Sequence, residues 1–126
     1  MSAKNTYFPE EVYNSEINLS ENDEVIKAMH KDGIKSTDQF PVDLYFMTDS
    51  EEKANNLKKA FESRFPDYTE LDVADYGGDF EILVTTTPIE MNLKAVNDLN
   101  KIMWDLGYEF DCMFDGWEAG PLDDEE

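Results

Sequence analysis

Residues 68–87, Tyr-Thr-Glu-Leu-Asp-Val-Ala-Asp-Tyr-Gly-Gly-Asp-Phe-Glu-Ile-Leu-Val-Thr-Thr-Thr, contain the turn and the two strands on which the fold prediction depends. Gly77-Gly78-Asp79 separates two strand-like runs, which predicts a β-hairpin. Residues 80–87 are β-branched and apolar, so they are predicted to form a central strand that Pro88 ends.

A strand and a helix are predicted on each side of this hairpin. After Pro41, apolar Val42, Leu44 and Phe46 alternate with other residues, as in a strand with one buried face. A helix is predicted to begin at Asp49, in a capping-box pattern with Glu52, and to end before Pro66. The order β-α-β-β-α-β then predicts an α+β, ferredoxin-like sandwich with both helices on one face of a four-stranded antiparallel sheet.

The C-terminal helix and strand complete this pattern. Residues 90–106 are predicted to form a helix that Gly107 caps. Residues 108–114 are predicted to form the last strand, with four alternating side chains on its buried face. These are Tyr108, Phe110, Cys112 and Phe114.

An extra N-terminal helix is predicted before the sandwich, over about residues 21–32. Ser20 has the character of an N-cap and Gly33 of a C-terminal stop. Pro9, followed by two glutamates, indicates a short helix that could also include Ile17. We therefore expect an N-terminal extension over 1–20, a single domain over 21–118 and an acidic C-terminal tail over 119–126.

Charge is the most unusual property of the composition. The 126 residues include 30 acids and 10 bases, a net charge of −20, and residues 107–126 contain no base. Such a charge repels nucleic acid and anionic membranes and attracts cationic surfaces. We therefore predict a basic protein segment as partner, with no direct nucleic-acid or membrane binding. The alternative is that the charge only maintains solubility.

Catalytic and cofactor sites are not indicated by the sequence. His30 is the single histidine and Cys112 the single cysteine, so neither a zinc site nor a disulfide can be built within the chain. The carboxylates do not follow EF-hand spacing. The prediction is a non-enzyme without cofactor or metal, in a reducing, cytoplasmic location, since no signal peptide or membrane span is recognised.

Strand alternation predicts a binding surface on the sheet face opposite the helices. Tyr45, Met47 and Leu83 would form an apolar strip there, bordered by acidic edges that include Glu109, Asp111 and Asp115. The alternative is that the N-terminal helix covers this strip with Val25, Ile26 and Met29. Trp104 and Leu93 lie off the main apolar stripe of the last helix, and they indicate either a contact patch or packing against a terminal segment.

Phe114-Asp115-Gly116-Trp117-Glu118 resembles the Tyr-Asp-Gly-Trp ending of the regulator of ribonuclease E activity B family. The resemblance covers about residues 21–118. It includes the helix Asp23–Met29 followed by Asp32-Gly33, Pro41-Val42-Asp43 before Tyr45-Phe46, and Met91 near the start of the long helix.

This resemblance implies a ferredoxin-like fold and inhibition of ribonuclease E. The family's characterised member binds the nuclease's C-terminal scaffold, which includes arginine-rich stretches, and so alters the degradosome. The resemblance does not itself supply binding residues. We predict that Asp115, Trp117 and Glu118 contact the partner together with the acidic edges, with Trp117 on the same side of the strand as Asp115. A structural role for Asp-Gly-Trp is the alternative, with Gly116 permitting a bend.

Two other function classes remain open from the sequence. An immunity-type protein that neutralises a cationic toxin would use the same electrostatics. A carboxylate enzyme, with or without a divalent metal, is the third hypothesis. The oligomeric state is not indicated.

Overall fold

Four helices and six strands lie within residues 7–15 and 20–119, which are the residues described by a computed structural model. In chain order they are α1 (Glu10–Ser15), α2 (Ser20–Lys31), β1 (Gln39–Phe40), β2 (Val42–Thr48), α3 (Glu51–Arg64), β3 (Thr69–Asp75), β4 (Phe80–Thr85), β5 (Ile89–Glu90), α4 (Leu93–Phe110) and β6 (Met113–Ala119). The main sheet is antiparallel with strand order β3-β4-β2-β6. The α+β, ferredoxin-like prediction is therefore confirmed. The short pair β1 and β5 was not predicted.

The central hairpin forms where the glycine pair predicts it. Gly77 and Gly78 have φ values of 76° and 118°, a region that side chains rarely adopt. The Tyr76 N–H donates to the Asp79 carbonyl at 2.8 Å, and the Asp75 carboxylate accepts the Gly77 N–H at 2.9 Å. Strand β4 consequently pairs with β3 on one side and with β2 on the other, which makes it a central strand.

The core lies between the sheet and helices α3 and α4. Alternation along β2 and β4 places every second side chain on this face, and the same face receives the apolar sides of both helices. Among the fully buried side chains of this core are Val42, Leu44, Phe46, Ala54, Leu57, Phe61, Ile82, Val84, Val96 and Met103. The opposite face of the sheet is therefore free to carry polar side chains.

The start of α3 differs by one residue from the prediction. Ser50, in extended backbone conformation, is the N-cap, and its hydroxyl accepts the Lys53 N–H at 3.4 Å. Asp49 instead accepts a hydrogen bond from the Lys53 ammonium at 2.9 Å. The side chain one position earlier thus binds the lysine and leaves the cap to serine.

The end of α4 contradicts the prediction that Gly107 caps the helix. The helix continues to Phe110, and Asp111 ends it in the left-handed conformation with φ 57°. A Cβ on Gly107 would lie 2.3 Å from the Cys112 carbonyl oxygen, so glycine permits close approach of the returning chain. The last strand begins only at Met113, and the predicted strand alternation from Tyr108 to Cys112 is wrong because these residues form the helix end and the turn.

Helix α2 packs against α4, so the expectation that it covers the open side of the sheet is wrong. Ile26 and Met29 are buried in the core cluster, whereas Val25 is 40% exposed. Buried Asn22 donates to Asn97 at 2.8 Å and to Asn100 at 3.1 Å, and these bonds fix the pairing of the two helices. The Ser20 side chain, Ile17 and residues 120–126 of the predicted tail lie outside the described residues.

Candidate protein-binding surface

The open face is the side of the main sheet that points away from α3 and α4. The register aligns its side chains in three rows across the strands. Asp43 lies between Thr85 and Glu118, Tyr45 between Leu83 and Gly116, and Met47 between Glu81 and Met113. Asp72 extends the middle row on the edge strand β3. The predicted apolar strip is thus formed by Tyr45, Met47 and Leu83, with Met113 beside it and carboxylates on its borders.

Tyr45 and Glu118 are joined within this surface. The Tyr45 hydroxyl donates to the Glu118 carboxylate at 3.1 Å. Gly116, opposite Tyr45, has no side chain, which leaves room for the tyrosine ring beside β6. Burial, together with the hydrogen bond to Glu118, raises the pKa of Tyr45 to about 12. The phenol therefore remains a donor that holds one carboxylate in place at neutral pH.

Charge is distributed unequally between the two layers of the protein. The four strands of the main sheet contain no lysine or arginine, whereas they carry Asp43, Glu70, Asp72, Asp75, Glu81, Asp115 and Glu118. The lysines and the arginine of the described residues lie on α2, α3, α4 and the loop after α2. The strands of the main sheet consequently carry only negative charges, whereas α2, α3 and α4 carry charges of both signs.

Trp117 faces the helices, which contradicts its predicted position beside Asp115. A bulge in β6 places Phe114 opposite Phe46 and Gly116 opposite Tyr45, so Asp115 is an extra residue that shifts the alternation. Trp117 consequently lies opposite Leu44, and its indole N–H donates to Asn22 at 2.8 Å. Asp115 and Glu118 remain exposed at the edge of the sheet.

Asp111 was predicted to lie on an acidic edge of the open face, and this prediction is wrong. Asp111 caps α4 and is only 6% exposed. Its carboxylate accepts the main-chain N–H groups of Tyr7 and Phe8 and forms an ion pair with Lys53 at 2.5 Å. It joins the N-terminal segment to the domain. Tyr7 and Asp111 are 104 positions apart in the chain, and no local sequence pattern relates residues so far apart.

Glu109 and Trp104 also lie away from the open face. Glu109, on α4, forms a two-point ion pair with Arg64 at 3.0 and 2.8 Å, and this arginine lowers the pKa of Glu109. Trp104 is 9% exposed, contacts the Phe8 ring and donates its indole N–H to the Tyr13 carbonyl at 3.1 Å. Of the two interpretations of Trp104, the geometry favours packing against the N-terminal segment.

Two observations concern metal binding and thiol chemistry in the described ranges. No cluster of three or more histidine, cysteine or acidic side chains there could hold a metal ion. The buried Cys112 thiol has its pKa raised to about 12, chiefly by burial, so it is not a thiolate at neutral pH. The arrangement can present charge and apolar surface to a partner, which is what a binding protein requires.

The comparison with protein families agrees with this arrangement. The family model described as regulator of ribonuclease activity B matches residues 19–119. The chain belongs to this family. The resemblance in the sequence from 21 to 118 is thereby confirmed, and regulation of ribonuclease activity is the function that the family implies. No curated protein matches the chain.

The family match separates the domain from the segment before it. The open face and helices α2, α3 and α4 lie within the matched range, whereas α1 lies before it. Sequence reasoning did not identify Phe8 as a fully buried residue. The grouping of Tyr7, Phe8 and Tyr13 in an otherwise polar stretch was the available signal.

Within the described residues, no helix is both long and apolar enough to cross a membrane.

Proposed function

We propose that this member of the regulator of ribonuclease activity B family inhibits a ribonuclease without catalysis, by binding a basic segment of the nuclease or its assembly. The open face would receive that segment. The observation that carries the proposal is an apolar strip with carboxylates on its borders, on a sheet whose four strands contain no base.

The two components of the open face would act at different stages of binding. Long-range attraction brings a cationic segment to the sheet side, and this effect weakens as salt screens it. The strip of Tyr45, Met47 and Leu83 then offers contact area that excludes water, which slows dissociation. A partner segment with apolar residues between arginines fits both. The apolar side chains can cover the strip, while the long arginine side chains can reach past it to the carboxylates on its borders.

Fluorescence anisotropy with a labelled peptide of alternating arginine and leucine tests this proposal. The open-face variant combines Asp43→Asn, Glu81→Gln and Glu118→Gln. The control variant combines Glu24→Gln, Glu62→Gln and Asp67→Asn, which are exposed residues outside the sheet. Each variant removes three carboxylates, so both change the net charge from −20 to −17.

The open-face variant is expected to bind the peptide about tenfold more weakly at low salt, whereas the control should lose no more than about twofold. Affinity of the wild-type protein should fall as ionic strength rises. Equal loss in the two variants would show that net charge, and not this surface, determines binding. Binding that is independent of salt would contradict the electrostatic mechanism.

The same variants distinguish inhibition from simple capture. Added to the source organism's ribonuclease with a labelled RNA, the wild-type protein and the control variant should slow cleavage, and the open-face variant should do so much less. Binding of Mg²⁺, Ca²⁺ or Mn²⁺ by calorimetry, together with any RNA cleavage by the protein alone, would instead support the carboxylate-enzyme alternative.

A further inference from the structure

On the helical layer, the N-terminal segment enters an aromatic cradle formed by Lys53, Trp104, Tyr108 and Asp111. The Phe8 side chain is fully buried there, with its ring 4.6 Å from that of Trp104 and 5.5 Å from that of Tyr108, both edge-on. Tyr13 stacks on Tyr108 at 4.2 Å. These four cradle residues lie within the family match, and their occupant lies before it.

The cradle contacts its occupant mainly through the main chain. One Asp111 oxygen accepts the N–H groups of Tyr7 at 3.0 Å and Phe8 at 2.7 Å, and Trp104 donates to the Tyr13 carbonyl. Tyr7 and Phe8 come just before α1, and Tyr13 lies within it, so the cradle binds main-chain groups at the start of a short helix. These bonds do not depend on the side chains of the bound segment. The one deep side-chain requirement is the aromatic ring at position 8.

The carboxylate that receives the main chain is also bound by a side chain of the domain itself. Lys53 bridges Asp111 and Asp49 at 2.5 and 2.9 Å, from a helix different from the one that Asp111 caps. Burial alone would lower the pKa of Lys53, but its hydrogen bonds to Asp111 and Asp49 outweigh this effect and raise it. Lys53 is therefore charged at neutral pH, and it fixes the orientation of the acceptor.

The surroundings of the segment favour positive charge at its N-terminal end. Besides burial, the carboxylates of Asp79, Asp115 and Asp49 raise the pKa of Tyr7, since each disfavours a negative phenolate at that place. The Asp111 carboxylate, which accepts the Tyr7 N–H, adds a fourth negative charge, against which stands the single positive charge of Lys53 between Asp49 and Asp111. The remaining negative charge would attract a cation there. The chain itself places an uncharged tyrosine at this position, with Glu10 and Glu11 shortly after it.

We propose that the aromatic cradle is a binding site for a segment of a partner protein in which a basic residue precedes an aromatic one and a short helix follows, as α1 follows Phe8 here. Residues 7–13 of the chain occupy the cradle until such a segment replaces them. The site is distinct from the open face, on the other side of the sheet, so the two can be tested separately.

Peptide binding to the full-length chain tests the proposal. The probes are C-terminally labelled, N-acetylated peptides with the sequence of residues 7–15, in one of which Tyr7→Arg is introduced. The full-length Phe8→Ala protein should bind both, and the arginine peptide about fivefold more tightly. Wild-type protein should bind each at least about tenfold more weakly, because its own segment competes at high effective concentration.

Two double variants test whether the preference for the arginine peptide arises at the cradle. Adding Asp115→Asn to Phe8→Ala should reduce the preference for the arginine peptide about twofold, whereas adding Glu118→Gln, on the open face, should leave it unchanged. A peptide carrying Phe8→Ala should not bind. Equal, weak binding by the wild-type and Phe8→Ala proteins, or no preference for arginine, would overturn the proposal.

Hydrogen exchange of the wild-type protein provides a test that does not depend on the folding of a variant. If residues 7–13 can be replaced, the Tyr7 and Phe8 amides must exchange through local opening, at least about tenfold faster than the hydrogen-bonded amides of Leu44 and Phe46. Equal protection of the two groups would mean that the segment leaves only on global unfolding, and the proposal would then be rejected.

Discussion

Replacing Gly107 by alanine tests the path of α4 beneath the final turn. An alanine Cβ would lie 2.3 Å from the Cys112 carbonyl oxygen, and ordinary contact requires about 1 Å more. On its other side the Cβ already meets two carbons of the Phe46 ring at 3.4 Å. Neither neighbour is the free end of a flexible side chain, so the backbone at the turn must move.

Two opposed effects determine whether Gly107→Ala raises or lowers the free energy of unfolding. Alanine stabilises a helix interior by about 0.5–1 kcal/mol relative to glycine. Overpacking costs about 1–3 kcal/mol, and displacing the turn also weakens the Cys112 N–H bond to the Gly107 carbonyl, which is 2.8 Å long, by about 1 kcal/mol. The Gly107→Ala protein should therefore be less stable than the wild type by about 2 kcal/mol.

Urea unfolding followed by circular dichroism measures this difference, and a matching fall of roughly 6–10 °C in Tm is expected. Asn56→Ala is the control, because Asn56 is exposed within α3 and the change should stabilise by about 0.5 kcal/mol. A Gly107→Ala protein as stable as the wild type would refute the close approach of α4 to the final turn.

Three further predictions concern single side chains. Because the pKa of Tyr45 is raised from 10.0 to about 12, the folded state keeps the phenol protonated above the unfolded pKa, and stability should fall between pH 10 and about 12. Tyr45→Phe should flatten this fall in urea titrations across that range, and an unchanged slope would contradict the burial of the phenol. Asn22→Ala removes the acceptor of the Trp117 indole and two bonds to α4, so a loss of about 2 kcal/mol is expected by thermal unfolding; a loss below about 0.5 kcal/mol would show that α2 is not held by this network. Cys112 should react with a thiol reagent at least about 100-fold more slowly in the folded than in the unfolded protein, measured by absorbance, and comparable rates would exclude its burial.

Several features followed from the sequence because they depend on neighbours in the chain. The glycine pair required a tight turn, and alternation along β2 and β4 defined a buried and an open face. The order of helices and strands predicted the fold, and the stretch Phe114-Asp115-Gly116-Trp117-Glu118 indicated the family.

Other features required the tertiary structure. The bulge at Asp115 turns Trp117 toward the helices, and nothing in its local sequence shows which residue of β6 is left unpaired. In the sequence Gly107 resembles a helix stop, but its role is set by the close approach of the Cys112 carbonyl, which only the structure shows. Asp111 was expected on an exposed edge, yet it binds the main chain of residues 7 and 8.

Local sequence therefore determined most of the helices and strands, because backbone propensity and the periodicity of apolar residues act over a few positions. The end of α4 and the short pair β1 and β5 are the exceptions. The roles of Asp111, Trp104 and Trp117 were decided by contacts between residues far apart in the chain. Such contacts depend on register and close packing, which arise only when the elements assemble.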